Sequence, residues 1–394
     1  MPTARDYFLQ AQANIASGLA LLPADSKRTI QQSDLTYLGM MNTPLNARSN
    51  GAIALRRRPD GTKSLLVAGE DTSQNPLNEI SLAGFSTTAP PMAALLNTWL
   101  PAAWQQGCLT WAPILPASGG LQIGGMCMIG DTLYTVFGGH YDVSPGDKPV
   151  LFLTKFNADG TLSSQGPVFA TATNKFCRLW ATGDPSGRLY LGSGLAAGDA
   201  ASPWGRSLIS VPTAITLTQN AMLPSVEMLG YPIGHEDEYP GTYTSAIVTT
   251  PKTGGPWINN GVVSTACWVE TNSLIGVLYF GHYGDGYVWY GLNPDPVSGN
   301  YDNVDLSKGY HATQHHGYCA IDNPAKYADV VSGKINPWDP RADSVFDPFP
   351  MMGNLPGGNL FTGSAFDPDT NTLILSGTWV GTGTLGIHAF KVGM

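Results

Sequence analysis

The sequence predicts an all-β protein built as a single β-propeller. Three observations predict it: a hairpin unit that recurs five times, a turn-dense composition, and a strand-and-turn pattern from about residue 35 onward. The unit is a strand rich in small residues, a turn, and a second strand that opens on leucine. Its copies are Gly51-Ala-Ile-Ala-Leu…Ser64-Leu-Leu-Val-Ala-Gly, Gly125-Met-Cys-Met-Ile…Thr132-Leu-Tyr-Thr-Val-Phe-Gly and Phe176-Cys-Arg-Leu-Trp…Arg188-Leu-Tyr-Leu-Gly. Two more follow, Ser264-Thr-Ala-Cys-Trp…Ser273-Leu-Ile-Gly-Val-Leu-Tyr-Phe-Gly and Gly363-Ser-Ala-Phe-Asp…Thr372-Leu-Ile-Leu-Ser-Gly. Short hairpins repeated along one chain are how a radial array of blades is written in sequence. With 47 Gly, 30 Pro and only 12% charged residues, the composition suits many tight turns and few surface helices.

Taken from the N-terminus, residues 4–22 form the one segment with helical periodicity. Tyr7, Phe8, Ala11, Ile15, Leu19 and Leu22 recur at three- and four-residue steps and make one apolar stripe. The expectation is an amphipathic docking arm over 1–34, followed by the propeller over 35–394. The repeat leucines Leu65, Leu133, Leu189, Leu274 and Leu373 are separated by 68, 56, 85 and 99 residues. Uneven steps mean long excursions between hairpins of similar length, over 86–120, 212–243, 292–316 and 323–358. Loops of that length tend to carry function. Five blades is the leading expectation and six the alternative, if an insertion hides a weak blade. The strand Leu35–Met41 is expected to pair with Gly386–Val392 and close the ring.

The expected inner strands carry Ala54, Cys127, Ala181, Cys267 and Ala365, small side chains suited to a narrow centre. Propeller glycosidases need two carboxylates flanking the bond they cleave. Here Glu270 and Asp367 come only at strand ends, so an axial acid pair is absent from the pattern. The triplet Arg56-Arg57-Arg58, followed by Pro59-Asp60-Gly61, reads as a solvated hairpin tip.

The balance of charge excludes some classes of partner. The net charge is −9, without long runs of one sign. A nucleic-acid groove requires clustered Lys and Arg, so none is expected. No run of about 18 apolar residues exists for membrane insertion. The N-terminus makes a poor secretory signal, because its apolar stretch is short and interrupted by polar residues. None of the five cysteines forms a CxxC pair, and Cys127, Cys177 and Cys267 occupy equivalent strands, so they read as free thiols used as small hydrophobes.

Several constellations could carry chemistry. His235-Glu236-Asp237-Glu238 could hold calcium or a transition metal, although a solvated loop is the plainer reading. Otherwise no cofactor is expected. His311 and His315 are spaced for a helix face binding zinc, but the HExxH glutamate is missing, and Gly309 and Gly317 argue for a loop. Gly-His-Tyr recurs at His140-Tyr141 and His282-Tyr283, expected to close equivalent strands in two blades and to emerge on one face. There they could converge on a ligand or simply cap turns. Trp204 and Trp257, each beside a proline, are the candidates for exposed rings that stack on sugar faces or anchor a partner protein. No Gly-x-Ser-x-Gly elbow or phosphate loop occurs, so catalysis has no support at this level.

The repeat body over 35–392 resembles an uncharacterised family of bacterial and phage β-propellers. The residues that carry the likeness are Ser64-Leu-Leu-Val-Ala-Gly…Asn78-Glu-Ile-Ser-Leu, Gly276-Val-Leu-Tyr-Phe-Gly-His-Tyr-Gly, Ile335-Asn-Pro-Trp338 and Gly363-Ser-Ala-Phe-Asp-Pro-Asp-Thr. The resemblance brings no reaction with it. Many relatives look exported, whereas this chain has the amphipathic arm in place of a signal. The expectation is therefore a non-catalytic phage virion protein, made in the host cytoplasm and displayed on head or tail. It would dock on other virion proteins through residues 1–34, touch host-surface glycans, and be open to homo-oligomerisation. Two competing classes are a glycan- or lactone-active enzyme using the His140, His282 and His311 face, and a general interaction scaffold.

Overall fold

The computed structural model describes residues 27–46, 52–68, 76–100, 122–138, 151–157, 159–170, 179–193, 206–211, 213, 222–223, 225–230, 262–296, 299–301, 309–352, 360–378 and 384–393. The expected helix over 4–22 lies outside them.

The fold is a five-bladed β-propeller. Two strands come first in the chain, β1 (Arg28–Thr29) and β2 (Leu35–Asn46). Blade I is the antiparallel meander β3 (Ile53–Arg57), β4 (Lys63–Ala68), β5 (Leu77–Ser81) and β6 (Leu95–Trp99). Blade II is β7 (Gln122–Ile129), β8 (Thr132–Gly138), β9 (Leu151–Phe156) and β10 (Leu162–Ala170). Blade III is β11 (Leu179–Gly183), β12 (Leu189–Ser193), β13 (Leu208–Val211) and β15 (Val226–Leu229). Between the last two, β14 (Met222–Leu223) crosses to pair in parallel with β10. Blade IV is β16 (Val262–Glu270), β17 (Leu274–Gly291), β18 (Gly309–Asp322) and β19 (Ser344–Phe346). Blade V is β20 (Leu360–Asp367), β21 (Thr372–Thr378) and β22 (Thr384–Val392), completed by β2. Among the described residues the one α-helix is α1 (Tyr327–Val331), on the connection from β18 to β19.

The ring closes twice over. Each blade's first strand faces its neighbours in the order β3, β7, β11, β16, β20 and back to β3, which fixes five blades. In addition, Leu35 pairs with Val392 and Met41 with Ile387, so the two ends of the chain share blade V. Hydrogen bonds between β2 and the last strand, β22, tie the toroid shut without a covalent link. Residues 27–34 run along the edges of blades IV and V rather than away from them. β1 pairs with the start of β17, Ile30 is wholly buried, and the Gly393 amide donates to the Asp34 carbonyl.

The recurring leucine explains the repeat. Leu65, Leu133, Leu189, Leu274 and Leu373 all lie within the first three residues of their blade's second strand, and all are buried. Five apolar clusters result, one for each seam between neighbouring blades. Each fully buried leucine contributes roughly 1.5–3 kcal/mol by removal from water. Blades II and III approach closely at Gly125 on β7, where a Cβ would come within 2.5 Å of the Trp180 and Ala181 backbone. Only glycine fits there.

Candidate functional site

At the end of the ring where the five inner strands finish, a cavity of about 690 Å³ opens on the axis. Its floor is formed by Ala54, Met126, Cys127, Ala181, Cys267 and Ala365. It is uncharged, as the sequence predicts, because five strands converging on an axis leave room for little more. The thiols there are chemically quiet. Burial pushes the Cys127 thiol up to about 12 and raises that of Cys267 as well. Neither is a thiolate at neutral pH, so neither is an activated nucleophile. Cys127, Cys267 and Cys319 are all free.

The mouth is charged, because the residues that follow each small-residue strand are turn formers. Asp184 heads the Asp-Pro-Ser-Gly turn after β11. One carboxylate oxygen accepts from the Ser186 amide at 2.9 Å and hydroxyl at 2.6 Å, and from the Arg188 amide at 3.1 Å; the other takes the Tyr190 hydroxyl at 2.8 Å. Burial, with Asp184 nearby, raises the Tyr190 phenol well above its usual range. Glu270 accepts from Lys27 Nζ at 2.7 Å and from the Trp268 indole at 3.0 Å. Asp367 is held by Lys63 Nζ at 2.6 and 2.7 Å and by the Thr370 hydroxyl at 2.7 Å. Hydrogen bonds from Lys63 and Arg57 hold Asp369 below the usual carboxylate range. Asp131, exposed at the turn after β7, makes no side-chain hydrogen bond among the described residues. Of the four carboxylates that line the cavity, Asp184, Glu270 and Asp367 are therefore committed to structure.

The arginine triplet corrects the sequence reading. Arg57 is exposed and pairs with Asp369, as a hairpin tip would. Arg56, by contrast, is only 11% exposed. It donates to the fully buried Glu79 at 2.9 Å, with its guanidinium carbon 4.0 Å from the Phe156 ring centroid of blade II. Glu79 also accepts from Ser64 Oγ at 2.6 Å and Asn97 Nδ2 at 2.7 Å. Arg58 lies 3.7 Å from the same Glu79 oxygen. Strand alternation sends Glu79 inward on β5, and the run of three arginines could not reveal that partner. The only signal was an acid inside an apolar strand, Leu77-Asn-Glu-Ile-Ser.

The histidine candidates fall elsewhere. Glu270 pairs with Ile275 at the mouth end of the β16–β17 ladder, while Val262 pairs with His282 at the far end. His282 and Tyr283 do not close their strand. β17 runs on to Gly291, and the stretch with His311 and His315, expected as a loop, is the first half of β18. Register places Tyr283 opposite His316, Gly284 opposite His315 and Trp289 opposite His311. Gly309 and Gly317, read as turn signals, lie within β18, and Gly317 is a packing position: a Cβ there would come within 2.0 Å of the Phe349 ring. His140, Tyr141, Trp204, Trp257 and His235-Glu236-Asp237-Glu238 lie outside the described residues. Among the described residues no group of three or more His, Cys, Asp and Glu is placed to hold a metal ion, and no helix is long and apolar enough to cross a membrane.

Fold and hub together define a five-bladed propeller with a carbon-lined, uncharged axis and a polar mouth. No protein-family model matches the sequence, and no curated protein is detectably similar. Among solved structures, a GH43 endo-arabinanase from Bacillus licheniformis is similar at 10% identity, over 89% of this chain and 95% of that one, with a TM-score of 0.41. The parainfluenza virus 5 hemagglutinin-neuraminidase is similar at 8% identity, over 93% and 97%, with a TM-score of 0.38. A luciferin-regenerating enzyme is similar at 9% identity, over 87% and 78%, with a TM-score of 0.34. Likenesses this remote carry nothing about chemistry.

Proposed function

We propose that the chain is a non-catalytic propeller displayed on a phage virion, anchored through its N-terminal segment and binding glycans at the host surface. The observation that carries the non-catalytic part is the state of the mouth carboxylates. Asp184, Glu270 and Asp367 are each tied to a turn, a lysine or an indole, which leaves no opposed acid and base for bond cleavage among the described residues. The raised thiols of Cys127 and Cys267 offer no nucleophile in their place. Support for the virion part comes from the family resemblance and from free thiols, which suit folding in a reducing cytosol.

Two measurements test it. Mass spectrometry of purified particles of the encoding phage should find the chain in stoichiometric amount, and its absence from particles overturns the virion reading. Removing residues 1–26, which leaves Lys27 and β1 in place, should abolish incorporation while the propeller still melts cooperatively.

A second reading keeps an enzyme in view, active on glycans or lactones through the far end of blade IV. It draws on the register that gathers His282, His311, His315 and His316 on one hairpin. Turnover of chromogenic glycosides or lactones by the purified chain, with and without added divalent cations such as calcium, decides between the two.

A further inference from the structure

We infer that the mouth of the hub cavity is a seat for an acidic saccharide, whose carboxylate is received by Arg58 and Arg56 on blade I. The inference rests on the glycan-binding reading above and adds the site and the class of sugar. Glu79 is fully buried and already takes three donors: one oxygen takes Arg56 at 2.9 Å and Ser64 at 2.6 Å, the other takes Asn97 at 2.7 Å. Arg58 has no short side-chain partner among the described residues. Its nearest carboxylates are Glu79 at 3.7 Å and the largely exposed Asp60 at 3.8 Å, both beyond hydrogen-bond length. Asp60 is itself occupied by the Thr62 amide and hydroxyl.

A guanidinium carries five N–H donors in a planar fork that matches a carboxylate. Here one such fork lines a cavity with its donors unspent. A second, Arg56, stands beside it, fixed from behind by a buried acid and from below by the Phe156 ring. Holding Arg56 in place before the ligand arrives lowers the ordering cost of binding. On the adjoining wall, in blade II, Asp131 offers a carboxylate with no side-chain hydrogen bond among the described residues, and its carbonyl takes the amide of Phe156 at 3.1 Å, the residue whose ring lies against Arg56. An anion alone would find no use for that acceptor, and a neutral sugar would meet the guanidiniums with hydroxyl oxygens only, without the charge-assisted bidentate pairing that a carboxylate makes. A sugar acid uses both, with hydroxyls donating to Asp131 and its C–H face over the uncharged floor. The cavity volume lies inside the range of about 300–1,000 Å³ usual for small-ligand sites.

The test is titration of the full chain with D-glucuronate, D-galacturonate, D-glucose, sodium acetate and sodium sulfate, followed by ligand-observed NMR and calorimetry. One of the two sugar acids should bind at least tenfold more tightly than glucose or acetate. Arg58→Gln should lose at least tenfold of that affinity with an unchanged melting temperature, and Arg57→Gln should stay within twofold. Glucose binding as well as the sugar acids, with Arg58→Gln indifferent, overturns this seat while glycan binding stands. Sulfate or acetate competing on equal terms also overturns it, since the corner is then a general anion site. If no saccharide binds at all, both this inference and the glycan part of the proposed function fall.

Discussion

Two groups of buried charge stand in this propeller, and they are built to opposite ends. At the seam between blades III and IV, Arg206 pairs with Asp322, and both side chains are fully inaccessible. Tyr327 on α1 donates to Asp322 at 2.9 Å and meets Tyr279 at 2.8 Å, and the Arg206 guanidinium sits 5.3 Å from the Tyr279 ring. Both charges there are sealed from solvent, and Lys326 Nζ stands 3.6 Å from the second Asp322 oxygen. In blade I, one buried acid faces two guanidiniums, and the guanidiniums line a cavity. A closed ion pair offers geometry: it sets how two blades meet, because any slip leaves a charge alone in a dry place. An open group, whose guanidiniums reach a cavity, offers binding to something from outside.

Substitutions can break that comparison. Arg206→Ala should cost about 3–5 kcal/mol in chemical denaturation, because it leaves the fully buried Asp322 with the Lys326 ammonium at 3.6 Å in place of a guanidinium packed against it. The pair Arg206→Met with Asp322→Leu should recover most of that loss. If it does not, the group does more than hold the seam.

Acidification gives the next largest effect. His388 packs beside Phe361 with its Nδ1 3.0 Å from the Tyr37 hydroxyl, and burial pushes its imidazole down to about 4. The unfolded chain, with a value near 6.5, then takes up the proton first. Stability from this residue is complete above about pH 6.5 and falls as the pH drops toward 4, by about 3 kcal/mol in all. Denaturation midpoints at pH 7 and pH 4 should therefore converge in a His388→Phe variant.

Glu79→Gln should cost less than the Arg206 change, about 2 kcal/mol, since the guanidiniums it frees can be hydrated through the cavity. A loss as large as that at Arg206 would mean that blade I is as closed as the seam. Smallest of all, Arg58→Gln should change stability by less than about 0.5 kcal/mol, the usual scale for a surface site without short partners.

How far these groups could be read beforehand follows from how local their causes are. Blade II shows the favourable case: the leucine of Thr132-Leu-Tyr-Thr-Val and the small strand before it are neighbours in sequence, so hairpin, seam residue and uncharged floor all follow from one short stretch. Blade IV shows the reverse. Gly281, Gly284 and Gly317 look like turns in isolation, yet they lie within a long ladder, and the reason for Gly317 is a ring on a distant segment.

By itself, then, the order of residues determined the all-β class, the five hairpins, the closing strand at Leu35–Met41 and the lack of acids along the axis, because each depends on periods of two and on turns a few residues long. Folding decided the rest. It turned Arg56 from a solvent-facing tip into a fixed guanidinium, gave Glu79 and Asp322 their cations, and placed the histidine hairpin at the end of blade IV away from the cavity. These depend on pairs 23 to 116 residues apart in the chain, such as Arg56 with Glu79 and Arg206 with Asp322, whose meeting is set by ring closure and not by anything either neighbourhood encodes.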